Sequence, residues 1–410
     1  MSAPTEVSDP HGLLTRQFQV DPYPTYARLR EESPAYFSEG WGGWLLTRYQ
    51  DVQSGFKDNT RLSSNRAGAF GAMLPAALKE RLAPVVRSLS SWALLIDPPD
   101  HTRIRSLVNK AFTPRLVEFL RPKIQELVDG MLDKGQANGR MDIVLDLANL
   151  LPVSVIGDML GIPREDSQKL TVWSNAFATF FGTAKYTPDV LEQMRNGIVE
   201  MEDYFRGLIA QRRKSATVGS DLLSTMIAAE EQGQFLSEQE VLAMCSLVLF
   251  AGHETTTHLL SNGMYLLLNN PEQRALMQGS EEQLTTAVEE ILRYESPIQR
   301  LSRVITEDFE LHGQTLRKGQ KAFLMIGAGN RDERQFPGAD RLDLGRKDNR
   351  HIAFGFGIHY CLGAALGRLE GQIALSTVLR RFPHMKLLQE PERLENVAFR
   401  GFKSMPVSLG

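Results

Sequence analysis

The chain has 410 residues, 42% of them hydrophobic and 23% charged, with a formal net charge of -3. That composition supplies a large buried core and excludes a chain disordered throughout, and a pI near 6.3 argues against a basic nucleic-acid binder. Only Cys245 and Cys361 carry thiols, which excludes a disulfide framework and an iron–sulfur cluster held by this chain alone; any electrons the chain needs must come from another protein.

The opening residues, through Leu14, show no basic region followed by an apolar core, the mark of a signal peptide. Asp21-Pro22-Tyr23-Pro24 opens a helix, and Trp44-Leu45-Leu46-Thr47 beside Gly42-Gly43 reads as a strand. From about Pro114 to Arg213 the pattern is mostly helical. Leu116, Phe119, Leu120, Ile124, Leu127, Val128 and Leu132 recur at helical spacing, and loops are expected at 182–188 and 215–221. Ser237-Glu238-Gln239-Glu240 is a capping box opening a helix to about Leu268. Its first half is apolar on nearly every face, which predicts a path through the centre of the protein. Val241 to Gly252, the longest apolar run, is shorter than the roughly 20 residues that cross a bilayer. A second capping box at Ser280–Gln283 opens a helix that Pro297 ends. Short strands follow between Asp308 and Phe323, then an irregular stretch from Asn330 to Asn349, then a last helix from just after Cys361 to about Arg381. The expectation is one mainly α domain over 1–410 with minor β, cytoplasmic and monomeric.

The segment Phe354-Gly355-Phe356-Gly357-Ile358-His359-Tyr360-Cys361-Leu362-Gly363 concentrates the chemistry. Its glycines let backbone approach a flat object closely. Its cysteine stands at a helix mouth, where free N–H groups and the helix dipole favour a thiolate. A thiolate there suits a metal in a planar ring, and axial cysteine is a known haem ligation. Taken singly, each feature has a plainer reading: a lone buried Cys is usually an inert hydrophobe, as expected of Cys245, and Cys361 with His359 also fits a Cys–His hydrolase.

The ten-residue string as a whole resembles the haem-binding loop F-G-x-G-x-H-x-C-x-G of the cytochrome P450 monooxygenases at every specified position. Three further motifs resemble that family in the same order. The resemblance implies the P450 fold, with haem b between the central helix and the cysteine loop. Cys361 is then the proximal ligand, Phe354 packs near its sulfur, and Gly355 and Gly363 leave room beside the ring. Ala251-Gly252-His253-Glu254-Thr255-Thr256 is similar to the oxygen-binding A-G-x-[DE]-T motif. By that likeness Glu254 and Thr255 deliver protons for O2 activation, on a helix expected to bend or widen there, while Ala251 faces the haem. Glu290-Ile291-Leu292-Arg293 matches E-x-x-R, with Arg341 as the second Arg of a buried structural network; by itself the pair would be an ordinary surface ion pair. Asp97-Pro98-Pro99-Asp100-His101-Thr102-Arg103-Ile104-Arg105 supplies His101 and Arg105 as propionate anchors, joined by Arg303 and His359.

The resemblance further places Phe70, Leu94, Leu95, Phe177, Phe180, Phe181, Leu247, Ile298, Leu301 and Phe402 around the substrate. Few of these positions are charged, so the expected substrate is a mostly apolar organic molecule and not a small anion. It also implies a separate ferredoxin and ferredoxin reductase, docking near Arg103, Lys110, Arg115 and Arg368. The implied reaction is insertion of one oxygen atom from O2 into a C–H or double bond. Peroxide-driven peroxygenation or isomerisation, or a non-catalytic haem sensor, are the rival uses of the same cofactor.

Overall fold

The computed structural model describes residues 8–183, 186–214, 221–231 and 236–410; most of the loop expected at 215–221 lies outside them. Eight helices carry the site: α1 (Asp100–Ala111), α2 (Pro114–Ala137), α3 (Leu150–Leu160), α4 (Ser167–Gly182), α5 (Pro188–Lys214), α6 (Glu238–Asn269), α7 (Glu281–Tyr294) and α8 (Ala364–Arg381). Both capping boxes are formed, with Ser237 accepting from the Glu240 amide and Ser280 from that of Gln283. These satisfy amide donors that a helix start leaves unpaired. Helix α6 has no polar face to turn outward, and it is buried along most of its 32 residues. It packs against α3, α4, α5, α7 and α8, so it is the axis on which the other helices are hung.

The α pattern of α6 is unbroken through Gly252 to Thr256, and the expected widening is not seen. The Thr255 hydroxyl instead donates to the Ala251 carbonyl at 2.7 Å, and that of Thr257 to His253 at 3.0 Å. Helix α2 buries Leu120, Ile124, Val128 and Leu132, a row four residues apart, whereas Phe119 falls off that row and is 78% exposed. The stretch Ile143–Leu160 has the length and composition of a membrane span, but 67% of it is buried in the protein.

Five strands, β1 (Ala35–Ser38), β2 (Gly43–Leu46), β3 (Leu62–Ser63), β4 (Leu301–Ile305) and β5 (Lys321–Leu324), form one sheet in the order β1-β2-β5-β4-β3. The β1–β2 hairpin turns at Gly42, whose φ of 64° suits glycine. Strand β2 pairs in parallel with β5, and β4 runs antiparallel to β5 with Arg303 opposite Ala322. One apolar cluster fills the helical body, and two smaller ones lie against the sheet. Strand β4 thereby carries its residues from the sheet into the wall facing α6.

Candidate active site

The cysteine loop is shaped by two glycines. Gly355 and Gly357 both hold φ near 70°, where a side chain is strained; a Cβ on Gly357 would also come within 3.1 Å of the Phe56 carbonyl. Between these bends the Cys361 amide donates to the Phe354 carbonyl at 2.9 Å. Gly363 caps α8. Burial pushes the Cys361 thiol up, while the Gly363 amide, Arg105 and Arg368 pull it down. Burial pushes the Cys245 thiol up with no such opposition from an amide, the expected inert core residue. The Arg368 guanidinium lies 4.5 Å over the Phe354 ring.

A basic cluster forms beside this loop. The His101 and His359 rings are 4.2 Å apart, and the His359 Nε2 lies 3.0 Å from the Ser64 hydroxyl. Burial, with Arg303, His101, Arg66 and Arg105 around it, pushes His359 down to about 3. Arg105 donates to the Tyr360 carbonyl at 2.6 Å. Both ring nitrogens of His101, and Nε and one terminal nitrogen of Arg303, are buried without a partner. Buried donors are rarely left so.

Ala251 and Thr255 of α6 line a cavity of about 520 Å3. Glu254 does not line it: the carboxylate is buried, 3.4 Å from His258 Nε2. Burial would raise its pKa, but His258 and His253 hold it below the usual range. His253 is fully buried with Nε2 3.0 Å from the Asn149 carbonyl, a structural position. The two motif residues thus face different ways from adjacent positions, as the 100° step of a helix requires.

Of the expected substrate-facing residues, Phe70, Leu94, Leu95, Phe180, Phe181, Ile298 and Leu301 line the cavity. Three do not. Phe177 is fully buried against Trp92 and Phe250. Leu247 sits in the main core, one turn before Ala251. Phe402 packs on Tyr265 under the Arg393 guanidinium, and the cavity receives Phe399 in its place. The chain between Phe399 and Phe402 enters a strand pair with Glu392 and Arg393, which turns the later ring away. The cavity is also more charged than expected: Arg66, Arg300, Arg303 and Lys321 line it.

The structural network differs from the expectation in one member. Glu290 and Arg293 are fully buried and pair bidentately at 2.7 and 2.8 Å. The second guanidinium on Glu290 is that of Arg346, at 3.2 Å. Arg341 is exposed and contributes only its carbonyl, which accepts from Arg293 at 3.3 Å. Asn349 and the Asp343 amide complete the shell of Glu290, so the buried charges are fully bonded, as burial demands. On the expected docking face, Arg103 bonds Glu240 and Arg368 pairs bidentately with Glu289. These two are therefore largely neutralised.

A family model described as Cytochrome P450 matches residues 86–402. The chain is 38% identical over 411 residues to the polyketide biosynthesis cytochrome P450 PksS of Bacillus subtilis (strain 168), covering 98% of each. It is 38% identical over 406 residues to cytochrome P450 monooxygenase PikC of Streptomyces venezuelae, covering 97% of this chain and 93% of that protein. Among solved structures, P450BioI in complex with hexadec-9Z-enoic acid ligated acyl carrier protein matches with a TM-score of 0.87 at 34% identity, over 96% of this chain and 100% of that one. The chain belongs to the cytochrome P450 family. It is a P450 monooxygenase, an oxidoreductase, and a haem-thiolate cofactor and O2 go with the family. The residues present fit such a group: the unpartnered nitrogens of His101 and Arg303 match the demand of a dianionic ring edge for donors, and no atom lies within 4 Å of a Cβ built on Gly363.

Proposed function

We propose that this chain inserts one oxygen atom from O2 into a C–H or double bond of an organic substrate with a large apolar body, with electrons from a ferredoxin and its reductase. The observation that carries the reading is the set of unpartnered His101 and Arg303 nitrogens, with Arg303 lining the same cavity as Ala251 and Thr255. In this reading Cys361 holds the iron of haem b, and His101, Arg105, Arg303 and His359 hold its propionates. When bound, that haem supplies oxygen activation driven by electron donation from the thiolate. Phe354 and Arg368 cover the sulfur side, limiting water there. The Thr255 hydroxyl, whose proton is held on the Ala251 carbonyl in this structure, is the group at the cavity wall that would pass a proton on, and Glu254 is the charged carboxylate that replenishes it from behind the helix. The partly buried Phe70 and Phe181, with the buried Phe180, form the roof that excludes water and receives the substrate. Polyketide chemistry is the first substrate class to test, since PksS and this chain are alike end to end.

Residues 1–410 act as one domain in this reading, because the helical core and the sheet both contribute walls to the same cavity. The decisive experiment is turnover of a polyketide panel with NADPH, a ferredoxin and its reductase. Oxygenated product under these conditions, and none when the ferredoxin is omitted, supports the proposal; product only with hydrogen peroxide refutes the reductive route.

A further inference from the structure

Four cations and no carboxylate line the cavity: Arg66, Arg300, Arg303 and Lys321. Arg303 belongs with His101 and His359 at the ring edge, where its field comes from Asp97. Arg300 lies elsewhere. Its guanidinium lies against the Trp41 and Phe323 pair, 4.9 and 4.8 Å from the ring centroids, and the opposing groups that act on it are the phenols of Tyr186 and Tyr26. Its Nε is buried without a partner. Arg66 donates to the Ser302 hydroxyl at 3.0 Å, and its Nε is likewise unpartnered. Burial together with the neighbouring Arg303 and Arg300 depresses Arg66 to about 9, and burial depresses Arg300 to about 10. Lys321 is lowered by burial and by Arg300. Among the described residues no carboxylate forms an ion pair with Arg66, Arg300 or Lys321.

Arg303, with Arg105, His101 and His359, is assigned above to the propionates. Three cations then remain in a wall that is otherwise mostly apolar. Arg66, Arg300 and Lys321 are half-buried, and cations drawn out of water without a carboxylate partner favour an anionic group in the cavity. Arg300 is already packed against two aromatic rings, so less side-chain freedom is lost on binding.

Resting on the monooxygenase reading above, we infer that the substrate is an organic acid. Arg300, with Arg66 beside it, holds its carboxylate at the sheet wall, and its apolar body lies against Phe70, Phe180, Phe181 and Phe250 toward Ala251 and Thr255.

The test uses the haem-loaded enzyme and three acid and methyl-ester pairs: laurate, palmitate and 4-phenylbutyrate. Binding is measured by calorimetry and by the shift of the ferric haem spin state. At least one acid should bind about tenfold or more tightly than its ester, the value of a charge-assisted hydrogen bond. Arg300→Ala should remove that preference while leaving ester affinity within about twofold, and Arg300→Lys should restore part of it. Haem content and the reduced carbon-monoxide spectrum should not change in Arg300→Ala. The inference is overturned if no acid outbinds its ester, if Arg300→Ala keeps the preference, or if that variant loses haem, which would make Arg300 a propionate anchor. A wild-type protein without a thiolate-type carbon-monoxide spectrum would instead defeat the monooxygenase reading, and calorimetry would still decide the acid preference.

Discussion

Two buried carboxylates near the centre of α6 are held in opposite states. Glu254 is kept below its usual range by His258 and His253 against the effect of burial. Glu370 on α8 is pushed up to about 8 by burial, with only the Thr256 hydroxyl opposing. Glu254 is thus charged, and Glu370 protonated, at neutral pH. In the proposed relay, Glu254→Gln removes a proton carrier and should slow O2-dependent turnover by about 100-fold, while product formation driven by hydrogen peroxide falls much less; parallel rate measurements with the two oxidants check this. Glu370→Gln replaces a neutral acid with a neutral amide and should cost less than about 1 kcal/mol, read from urea unfolding.

At the scale of elements, the buried network joins α7 to the irregular segment before the cysteine loop. Arg346→Met should cost about 3 kcal/mol or more by leaving Glu290 short of a partner. Arg341→Met keeps the carbonyl that Arg293 uses and should cost less than about 1 kcal/mol. Comparing their unfolding midpoints distinguishes the two. The sequence could not separate these arginines, because both lie in an irregular stretch where no periodicity tells which side chain turns inward. Phe399 and Phe402 pose the same difficulty, since a short irregular turn decides which ring meets the cavity. Capped, strongly patterned elements were legible: α6 and α7 begin at their capping boxes. The glycines of the cysteine loop were legible too, because a positive φ leaves a mark in residue type. Arg300 and Arg66 were not, since a basic residue that faces a cavity reads in sequence like one that faces water.

For the whole molecule, the acid limb of stability should report how α7 and α8 are tied together. Arg368 and His351 both bond Glu289, and against the effect of burial they hold it down to about 2. A carboxylate depressed in the folded state contributes stability that is fully present above its ordinary value of 4.5 and is lost as pH falls through about 2. Glu289→Gln should therefore cost about 3 kcal/mol at neutral pH, and the difference from wild type should shrink below about pH 4.5. Urea unfolding over that range measures it.

In the proposed reading, the propionate anchors and the proton-bearing wall serve a haem held by Cys361. The most direct measurement is the reduced, carbon-monoxide-bound absorption spectrum of the purified protein beside that of Cys361→Ala. The wild type should show the red-shifted Soret band of a thiolate-bound haem, and the variant should lack it. A wild-type protein that holds no haem, or a variant that keeps the band, would contradict the account.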